Sequence, residues 1–417
     1  PPRSTLFPYT TLFRSPFYKT SADKAFVRAC DELLANKLMV AQWWDEDKGL
    51  DGFYSFKKAG SALSWFHRQD GAVVALWKRS MCGLSFDEGA TFSDPVRVPT
   101  LIMAGGKVWG QATEDGRFAM VYNPIEMDEH RYPLVVVSGE DGILYDHMAI
   151  VQGEVPPRRF FGRWKDFGPC YVRGIVEGNG NPPGEDMWLT YIMNKEDIWV
   201  SRIPLPIRDA VNGAVRDTFD DLPAGGAVKE WNIYAPQWAP VDVVEFPGKA
   251  DKSLRLKDRD PYDYARAIRV FETGQHVELK FKILTETSYA GVLEVDVTDR
   301  IGNRAICLKF DNDGQFKTGE RQLQSYQLDR WHTVALNIEA RPFGTFDLHV
   351  DGKAILKHEP LAEAVQSLER ISFRTGPYRS TPTRKTVNET PHEPLEDGDE
   401  PVPAAVFYID EVSAVTK

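Results

Sequence analysis

The sequence predicts an all-β protein, built as a partial β-propeller followed by a C-terminal antiparallel jelly-roll β-sandwich. Three observations carry this prediction. A strand-and-turn unit recurs through residues 61–206, alternating apolar and polar runs return after residue 231, and Asp-Gly turns mark several chain reversals. Short alternating strands between such turns are typical of propellers and sandwiches. We therefore expect propeller blades in the N-terminal half and a sandwich in the C-terminal half.

The composition excludes several classes of protein. The 417 residues carry a net charge of −11, so the chain lacks the basic face that nucleic-acid binding requires. No apolar run approaches the roughly 20 residues of a membrane helix. The four cysteines form neither a CxxC pair nor a zinc-spaced cluster with histidine. We expect no nucleic-acid partner, no membrane span and no cofactor.

The N-terminus has an unusual composition. Residues 1–15, PPRSTLFPYTTLFRS, begin without Met and resemble translated sequencing-adapter sequence. They carry neither the charged region nor the cleavage site of a signal peptide, so we interpret them as non-native. Residues 21–38 then show the apolar spacing of an amphipathic helix, with Ser21 or Asp23 as its N-cap.

Three segments of the N-terminal half align as repeats. The Asp70-Gly71 and Asp115-Gly116 turns lie 45 residues apart and precede the runs AVVALW and FAMVY. This spacing matches a propeller blade of roughly 40–50 residues. A third copy follows a loop-rich insertion at about residues 146–169. Closed propellers have more blades than this, so we interpret residues 16–206 as the C-terminal blades of an N-terminally truncated six- or seven-bladed propeller.

One motif links these repeats to a known superfamily. Residues 85–92, SFDEGATF, fit the Asp-box pattern S-x-D-x-G-x-T-[W/F], in which Ser and Asp bond the turn's backbone and Gly adopts a positive φ angle. With the blade-length repeats around this box, residues 40–206 resemble the sialidase-like (BNR/Asp-box) β-propeller superfamily. The resemblance implies that the box is a structural staple far from the active face, so Asp87 is not a catalytic candidate.

The same resemblance implies a sialidase-like exo-glycosidase that cleaves a glycosidic bond at an acidic sugar. Sialidases hold the substrate carboxylate with three arginines and use a Tyr–Glu pair as nucleophile and an Asp as acid/base. Carried onto this sequence, Arg173 binds the carboxylate, while Glu177 activates the phenol of Tyr191. An Asp acid/base and at least one arginine are expected from blades outside this chain. The remaining candidates are Tyr171 for catalysis and, for substrate binding, Lys165, Arg131, Arg68, His67 and Trp188.

Two alternatives stay open. A uronate-directed polysaccharide lyase needs a cation against the carboxylate and a base that removes the neighbouring proton. Lys165 or Arg173 can supply the cation, and Tyr171, Tyr191 or His67 the base. A non-catalytic glycan-binding propeller is the other alternative, because a fold does not fix a function. Each interpretation implies a glycan partner and an exported protein, extracellular or periplasmic.

The C-terminal half alternates with a period of two residues. Residues 231–417, with the hairpin FDLHV–DG–KAIL and a closing strand that contains FYIDEV, resemble concanavalin/laminin-G-like domains. We expect residues 207–230 to be a linker and the Pro- and acid-rich residues 379–403 to form a long mobile loop. Asp258, Asp260 and Asp263 offer oxygen ligands for calcium, although a solvated acidic loop is the simpler interpretation.

Overall fold

A computed structural model describes most of the chain, which divides into two compact units. The first unit comprises residues 1–155 and 162–209, and the second comprises residues 156–161 and 210–417. Residues 1–15, the predicted non-native segment, lie outside the described residues. The described residues are 17–44, 62–98, 100–103, 105–126, 131–160, 162, 166–177, 186–208, 210–286, 291–376 and 395–417.

The described elements are mostly strands, so the predicted all-β fold is confirmed. A short 3-10 helix at Phe17–Thr20 precedes helices α1 (Lys24–Ala35) and α2 (Lys37–Trp44). The strands of the first unit are β1 Ser64–His67, β2 Val73–Trp77, β3 Met81–Ser85, β4 Val96–Arg97, β5 Trp109–Ala112, β6 Phe118–Tyr122, β7 Leu134–Gly139, β8 His147–Gln152, β9 Pro169–Gly174, β10 Asp186–Met193 and β11 Asp197–Pro204.

The second unit consists of fifteen strands among the residues described. They are β12 Val215–Asp217, β13 Trp231–Tyr234, β14 Val241–Gly248, β15 Asp251–Asp258, β16 Arg266–Gly274, β17 His276–Thr285, β18 Val292–Thr298, β19 Arg304–Asp311, β20 Gln315–Thr318, β21 Arg321–Ser325, β22 His332–Glu339, β23 Thr345–Val350, β24 Lys353–Pro360, β25 Leu368–Arg374 and β26 Ala405–Thr416. No helix in the described part of the chain is long and apolar enough to cross a membrane.

The N-terminal helical pattern forms two helices rather than one. Asp23 is the N-cap of α1, and its carboxylate accepts hydrogen bonds from the backbone N–H groups of Ala25 and Phe26, at 2.9 and 3.1 Å. Asn36 ends α1, and its side-chain oxygen accepts a hydrogen bond from Met39 N at 3.1 Å, so it also caps α2. A side chain that satisfies the free N–H groups of a new helix favours this break.

Three antiparallel sheets form propeller-like blades in the first unit. Their strand orders are β1-β2-β3-β4, β5-β6-β7-β8 and β9-β10-β11. The second strands, β2 and β6, are buried throughout, as their apolar runs predict. The prediction of a loop-rich insertion at about residues 146–169 is wrong at its start. His147–Gln152 forms β8, the outer strand of the second blade. Three of its six residues are exposed at the sheet edge, so it lacks the apolar alternation by which strands are recognised.

The strand register places the Asp box at one end of the first blade. His67 pairs with Val73, which pairs in turn with Ser85, where the box begins. Asp87 accepts hydrogen bonds from the backbone N–H and the hydroxyl of Thr91 at 2.8 and 2.6 Å, and Ser85 Oγ donates to it at 2.8 Å. These bonds confirm the structural role of the box.

The second unit is a β-sandwich with a single large core. One sheet runs β14-β15-β26-β17-β22-β23-β24, with β12 paired to β26, and the other runs β13-β16-β25-β18-β19-β20-β21. The alternating run of β17 buries every second side chain, as its pattern predicts. The expected linker at 207–230 is partly wrong, because Val215 is buried and pairs with Ala414 of β26.

The expected mobile loop is described only in part. Residues 379–394 lie outside the described residues, whereas residues 395–403 contact the short segment 156–161 of the same unit. Leu395 N donates to the carbonyl of Arg159 at 3.0 Å, and the Arg159 guanidinium binds Asp399 Oδ1 at 2.6 Å. Part of the predicted loop is therefore bound to the sandwich.

The three aspartates considered for calcium are bound by the protein's own donors. Asp258 accepts from the hydroxyl of Thr375 at 2.6 Å, Asp260 from the backbone of Tyr262 at 3.0 Å, and Asp263 from the hydroxyl of Tyr234 at 2.6 Å. Burial raises the pKa of Asp258 to about 7. These interactions explain the acidic loop without a cation.

Gly89 of the Asp box provides a test of the packing of Leu38, on α2, against the first blade. Its φ angle is 79°, and an added Cβ would lie 2.3 Å from Leu38 Cδ2 of α2. We expect Gly89→Ala to cost about 1–3 kcal/mol for the backbone conformation and about 1–3 kcal/mol more for overpacking. Urea unfolding followed by tryptophan fluorescence measures this loss.

Gly71→Ala is the matched control for that measurement. Gly71 has a φ angle of 80°, but an added Cβ would meet nothing within 4 Å. This variant should therefore show the backbone cost alone. Equal losses in the two variants would mean that Leu38 does not pack against the box in solution.

Candidate functional site

Tyr171 occupies an unusual position on the inner strand of the third blade. Its φ angle of 58° lies in the left-handed region that residues other than glycine rarely adopt. The pairing of β9 with β10 shifts register between Thr190 and Ile192, so that Tyr171 and Val172 form a β-bulge opposite the single residue Tyr191. Bulges re-aim side chains and are frequent beside active sites, where backbone strain is retained. The bulge leaves the Tyr171 side chain exposed on a strand whose next residue, Val172, is buried.

Two lysines flank the aromatic ring of Tyr171. Lys107 Nζ lies 5.1 Å from the ring centroid, and Lys195 Nζ lies 5.3 Å from it. Lys107 comes just before β5 of the second blade, and Lys195 is in the turn between β10 and β11 of the third. Ammonium groups at these distances are attracted to the ring face, and they would stabilise a phenolate or a bound anion.

A carboxylate and a guanidinium complete the cluster beside Tyr171. Asp166 Oδ2 lies 3.1 Å from Lys195 Nζ and 3.7 Å from Arg131 Nε. Burial lowers the pKa of Lys195, but its hydrogen bond and ion pair with Asp166 and its contact with Tyr171 raise the pKa overall. Lys195 is therefore a cation at neutral pH.

Arg131 is the most buried cation of this cluster. The residue is 8% exposed, and its buried Nη1 has no hydrogen-bond partner within the described residues. The guanidinium lies against Gly106, where an added Cβ would come within 2.6 Å of Nη1. A buried guanidinium with unused donors has the capacity to bind an anion. We name the group of Lys107, Arg131, Asp166, Tyr171 and Lys195 the Tyr171 cluster.

A second group of charged residues lies at the Asp-box end of the first blade. His67 Nδ1 is 2.6 Å from Glu177 Oε2, and its Nε2 is 3.0 Å from Glu88 Oε2. The backbone N–H of His67 also donates to Glu177 at 2.8 Å. Because Glu88 belongs to the Asp box, His67 and Glu177 lie at the box end, which the resemblance implies is far from the active face.

The other residues singled out in the sequence have separate positions. Tyr191 is 1% exposed, and its hydroxyl lies 2.9 Å from Ser201 Oγ. Burial raises its pKa to about 12, and the structure does not bring it to Glu177. Arg173 donates to the carbonyl of Val108 at 3.4 Å, beside Lys107.

Three further residues complete the predicted set. Arg68 pairs with Asp70 in the turn after β1 at 3.0 Å. Trp188 is on β10, where it pairs with Arg202 of β11 and has the Arg202 guanidinium 5.9 Å from its ring. Lys165 lies outside the described residues. Among the predicted residues, the structure therefore pairs His67 with Glu177 and links Arg131 to Tyr171 through Asp166 and Lys195. Sequence reasoning missed Lys107, Asp166 and Lys195.

The pKa of His67 provides a test of its contacts with Glu177 and Glu88. Burial alone lowers its pKa, but the hydrogen bonds to Glu177 and Glu88 raise it above the usual 6.5. We expect Glu177→Gln to bring the pKa down, as measured by NMR titration of the imidazole. Because the folded-state pKa is raised, the stabilisation is fully present below the unfolded value and is lost as the pH rises through the folded value.

Glu140→Gln is the control for this titration, since Glu140 is exposed and lies near Arg117 rather than His67. It should leave the His67 titration unchanged. A His67 pKa that does not respond to Glu177→Gln would show that the two side chains are not in contact in solution.

Comparison with known proteins identifies relatives of both units. Residues 231–390 match the family described as "Sialidase-like, CBM domain", and residues 9–60 match a family described as an N-terminal beta propeller. The second match begins within the predicted non-native residues 1–15. No curated protein matches the chain by sequence.

Solved structures include a strong match to this chain. A structure described as "Sialidase" is 32% identical, has a TM-score of 0.87, and is matched over 96% of this chain and 36% of its own length. The chain thus spans about a third of that relative. An endo-β-1,4-glucuronan lyase from the fungus Trichoderma reesei matches at 16% identity and a TM-score of 0.32, over 46% of this chain and 94% of its own.

A family 11 carbohydrate-binding module from Clostridium thermocellum matches at 12% identity and a TM-score of 0.25, over 50% of this chain and 98% of its own. The sialidase match and the CBM-type domain support a carbohydrate-active or carbohydrate-binding protein. The chain is therefore sialidase-like, with propeller-type blades followed by a sialidase-like CBM domain.

Proposed function

We propose that this chain supplies the reacting centre of a sialidase-like exo-glycosidase that cleaves a glycosidic bond at an acidic sugar. One observation carries the proposal. Tyr171 is an exposed phenol at a strained bulge, and two ammonium groups each lie about 5 Å from the centre of its ring. Cations around a phenol favour its ionised, nucleophilic form.

Each member of the Tyr171 cluster has a role in this proposal. Arg131 and Lys107 hold the acidic group of the sugar, with Arg173 and Lys165 as further cations. Lys195 stabilises the phenolate, and Asp166 fixes Lys195 by their 3.1 Å ion pair. Tyr191, whose hydroxyl is buried against Ser201, takes a structural role instead.

The reaction proceeds by two displacements. The Tyr171 oxygen attacks the anomeric carbon while the bond to the leaving oxygen breaks, and that oxygen takes a proton from a general acid. Water then attacks the same carbon, gives its proton to the resulting base, and releases Tyr171 as phenolate. The resemblance implies that this acid/base is an aspartate of blades outside the chain, and the chain spans 36% of the sialidase it matches.

The sialidase match supports the reaction class, since this relative is 32% identical over nearly the whole chain. A glycan substrate implies an exported protein, extracellular or periplasmic. The same cluster also suits a uronate lyase, because a phenolate between two cations can remove the proton next to a neutralised carboxylate. The assay below separates the two reactions.

Tyr171→Phe tests the proposed nucleophile. We expect turnover of acidic glycans to fall by on the order of 10³-fold, because the attacking oxygen is lost. A longer protein that joins this chain to the blades carrying the acid/base is incubated with a panel of sialylated and uronate-bearing glycans. Released sugar and the ultraviolet absorbance of unsaturated uronates are followed together. Release without absorbance indicates a hydrolase, and release with absorbance indicates a lyase.

Tyr145→Phe is the matched control, since it removes a hydroxyl that donates to Gly142 O at 3.1 Å in the second blade. It should leave turnover unchanged. Loss of turnover in Tyr191→Phe but not in Tyr171→Phe would assign the reaction to the buried phenol. A folded protein that releases no sugar from any glycan would favour the non-catalytic binding propeller.

A further inference from the structure

A groove lies next to the Tyr171 cluster in the first unit. It encloses about 410 Å³, within the range of roughly 300–1,000 Å³ that is usual for ligand sites. The turn between β2 and β3 forms one wall, and the segment that leads from β4 to β5 forms the other. We name it the Arg79–Arg97 groove, and its lining residues are Arg79, Arg97, Leu101, Ile102, Met103, Gly105 and Glu126.

Two hydrogen bonds join the two walls of the groove. Val98 N donates to the carbonyl of Ser80 at 2.7 Å, and Ser80 N donates to the sulfur of Met103 at 3.4 Å. Arg79 itself has a φ angle of 64°, and Ser80 one of 54°. A non-glycine turn held in this conformation is strained, and such strain persists where the surroundings fix it. The turn therefore holds the backbone of Arg79 in one place at the groove.

The charge of the groove is opposite to that of the chain. Arg79 and Arg97 are exposed, and neither guanidinium group forms a hydrogen bond or ion pair with a residue that the structure describes. Glu126 is the one acidic lining residue, so the lining has a net charge of +1 in a chain of net charge −11. Guanidinium groups bind carboxylates through paired hydrogen bonds. The exposed apolar side chain of Ile102, which also lines the groove, suits the C–H face of a sugar ring.

Three consecutive residues connect the groove to the Tyr171 cluster. Gly105 lines the groove, Gly106 lies against the Arg131 guanidinium, and the ammonium of Lys107 lies over the Tyr171 ring. Consecutive Cα atoms are about 3.8 Å apart, so Gly105 and Lys107 are separated by at most about 8 Å. The two sites are thus close enough for one oligosaccharide to occupy both.

We propose that the Arg79–Arg97 groove binds a second acidic sugar, joined to the sugar that reacts at Tyr171. This inference rests on the proposed function and narrows its substrate class. The substrate is a glycan with consecutive acidic residues, rather than one acidic sugar on a neutral chain. Arg79 and Arg97 bind the carboxylate of the second sugar, and the carboxylate of Glu126 repels it.

Calorimetric titration of the full chain with tri-galacturonate tests the groove. The titrations use the Tyr171→Phe protein, so that no turnover occurs, and compare the acid with its methyl ester, which is neutral. We expect Arg79→Gln and Arg97→Gln each to weaken binding of the acid about tenfold, since charge-assisted hydrogen bonds are lost. Glu126→Gln should tighten it, because a repelling carboxylate is removed. None of the three should change binding of the ester.

Arg28→Ala is the control for net charge, because Arg28 is exposed on α1 in the same unit. It should bind the acid as the parent protein does. Equal weakening by Arg28→Ala, equal affinity for acid and ester, or no binding of the acid would each overturn the groove proposal. If the parent protein turns over no glycan but still binds the acid through Arg79 and Arg97, the groove proposal stands and the proposed hydrolysis is wrong.

Discussion

The close approach of the inner strands of the blades is the constraint on which the candidate site depends. An added Cβ at Gly110 of β5 would lie 2.6 Å from Leu76 of the first blade, and one at Gly174 of β9 would lie 2.2 Å from Trp109 of the second. Only glycine leaves room for side chains of the neighbouring blade to pack this close to the strand backbone. Because the inner strands are this close, Lys107 of the second blade reaches the phenol of the third.

The two units use charged residues in different ways. In the sandwich, Arg374 is 1% exposed and binds both Glu294 and Asp296, the second at 2.8 Å. Arg304 also binds Asp296, at 2.6 Å, so the donors and acceptors of that network are used within the protein. In the Tyr171 cluster one carboxylate faces several cations, and Arg131 keeps a buried donor unused. An excess of positive charge beside an exposed phenol is what an acidic ligand requires, whereas a paired network mainly fixes structure.

Part of the candidate site could be predicted from sequence, and part could not. Tyr171 and Arg131 were expected from the resemblance and from their residue types. Lys107 and Lys195 lie in turns, where lysine is the ordinary solvated residue, so nothing in the local pattern distinguishes them. Asp166 precedes β9 in a segment without periodicity. The signal that unites them is proximity across two blades, which a single sequence does not contain.

The sequence by itself determined the local structure. The Asp box, the Asp-Gly turns and the alternating strands of the sandwich follow from residue type and spacing, because hydrogen bonds and side-chain direction over a few residues decide them. Tertiary structure alone decided which of the two candidate tyrosines exposes its phenol to a ligand. Tyr171 and Tyr191 both lie on alternating strands, and a one-residue shift in register exchanges the two faces of a strand. The β-bulge in β9 makes such a shift at Tyr171, whose phenol is exposed, whereas Tyr191 is buried with the alternate side chains of β10.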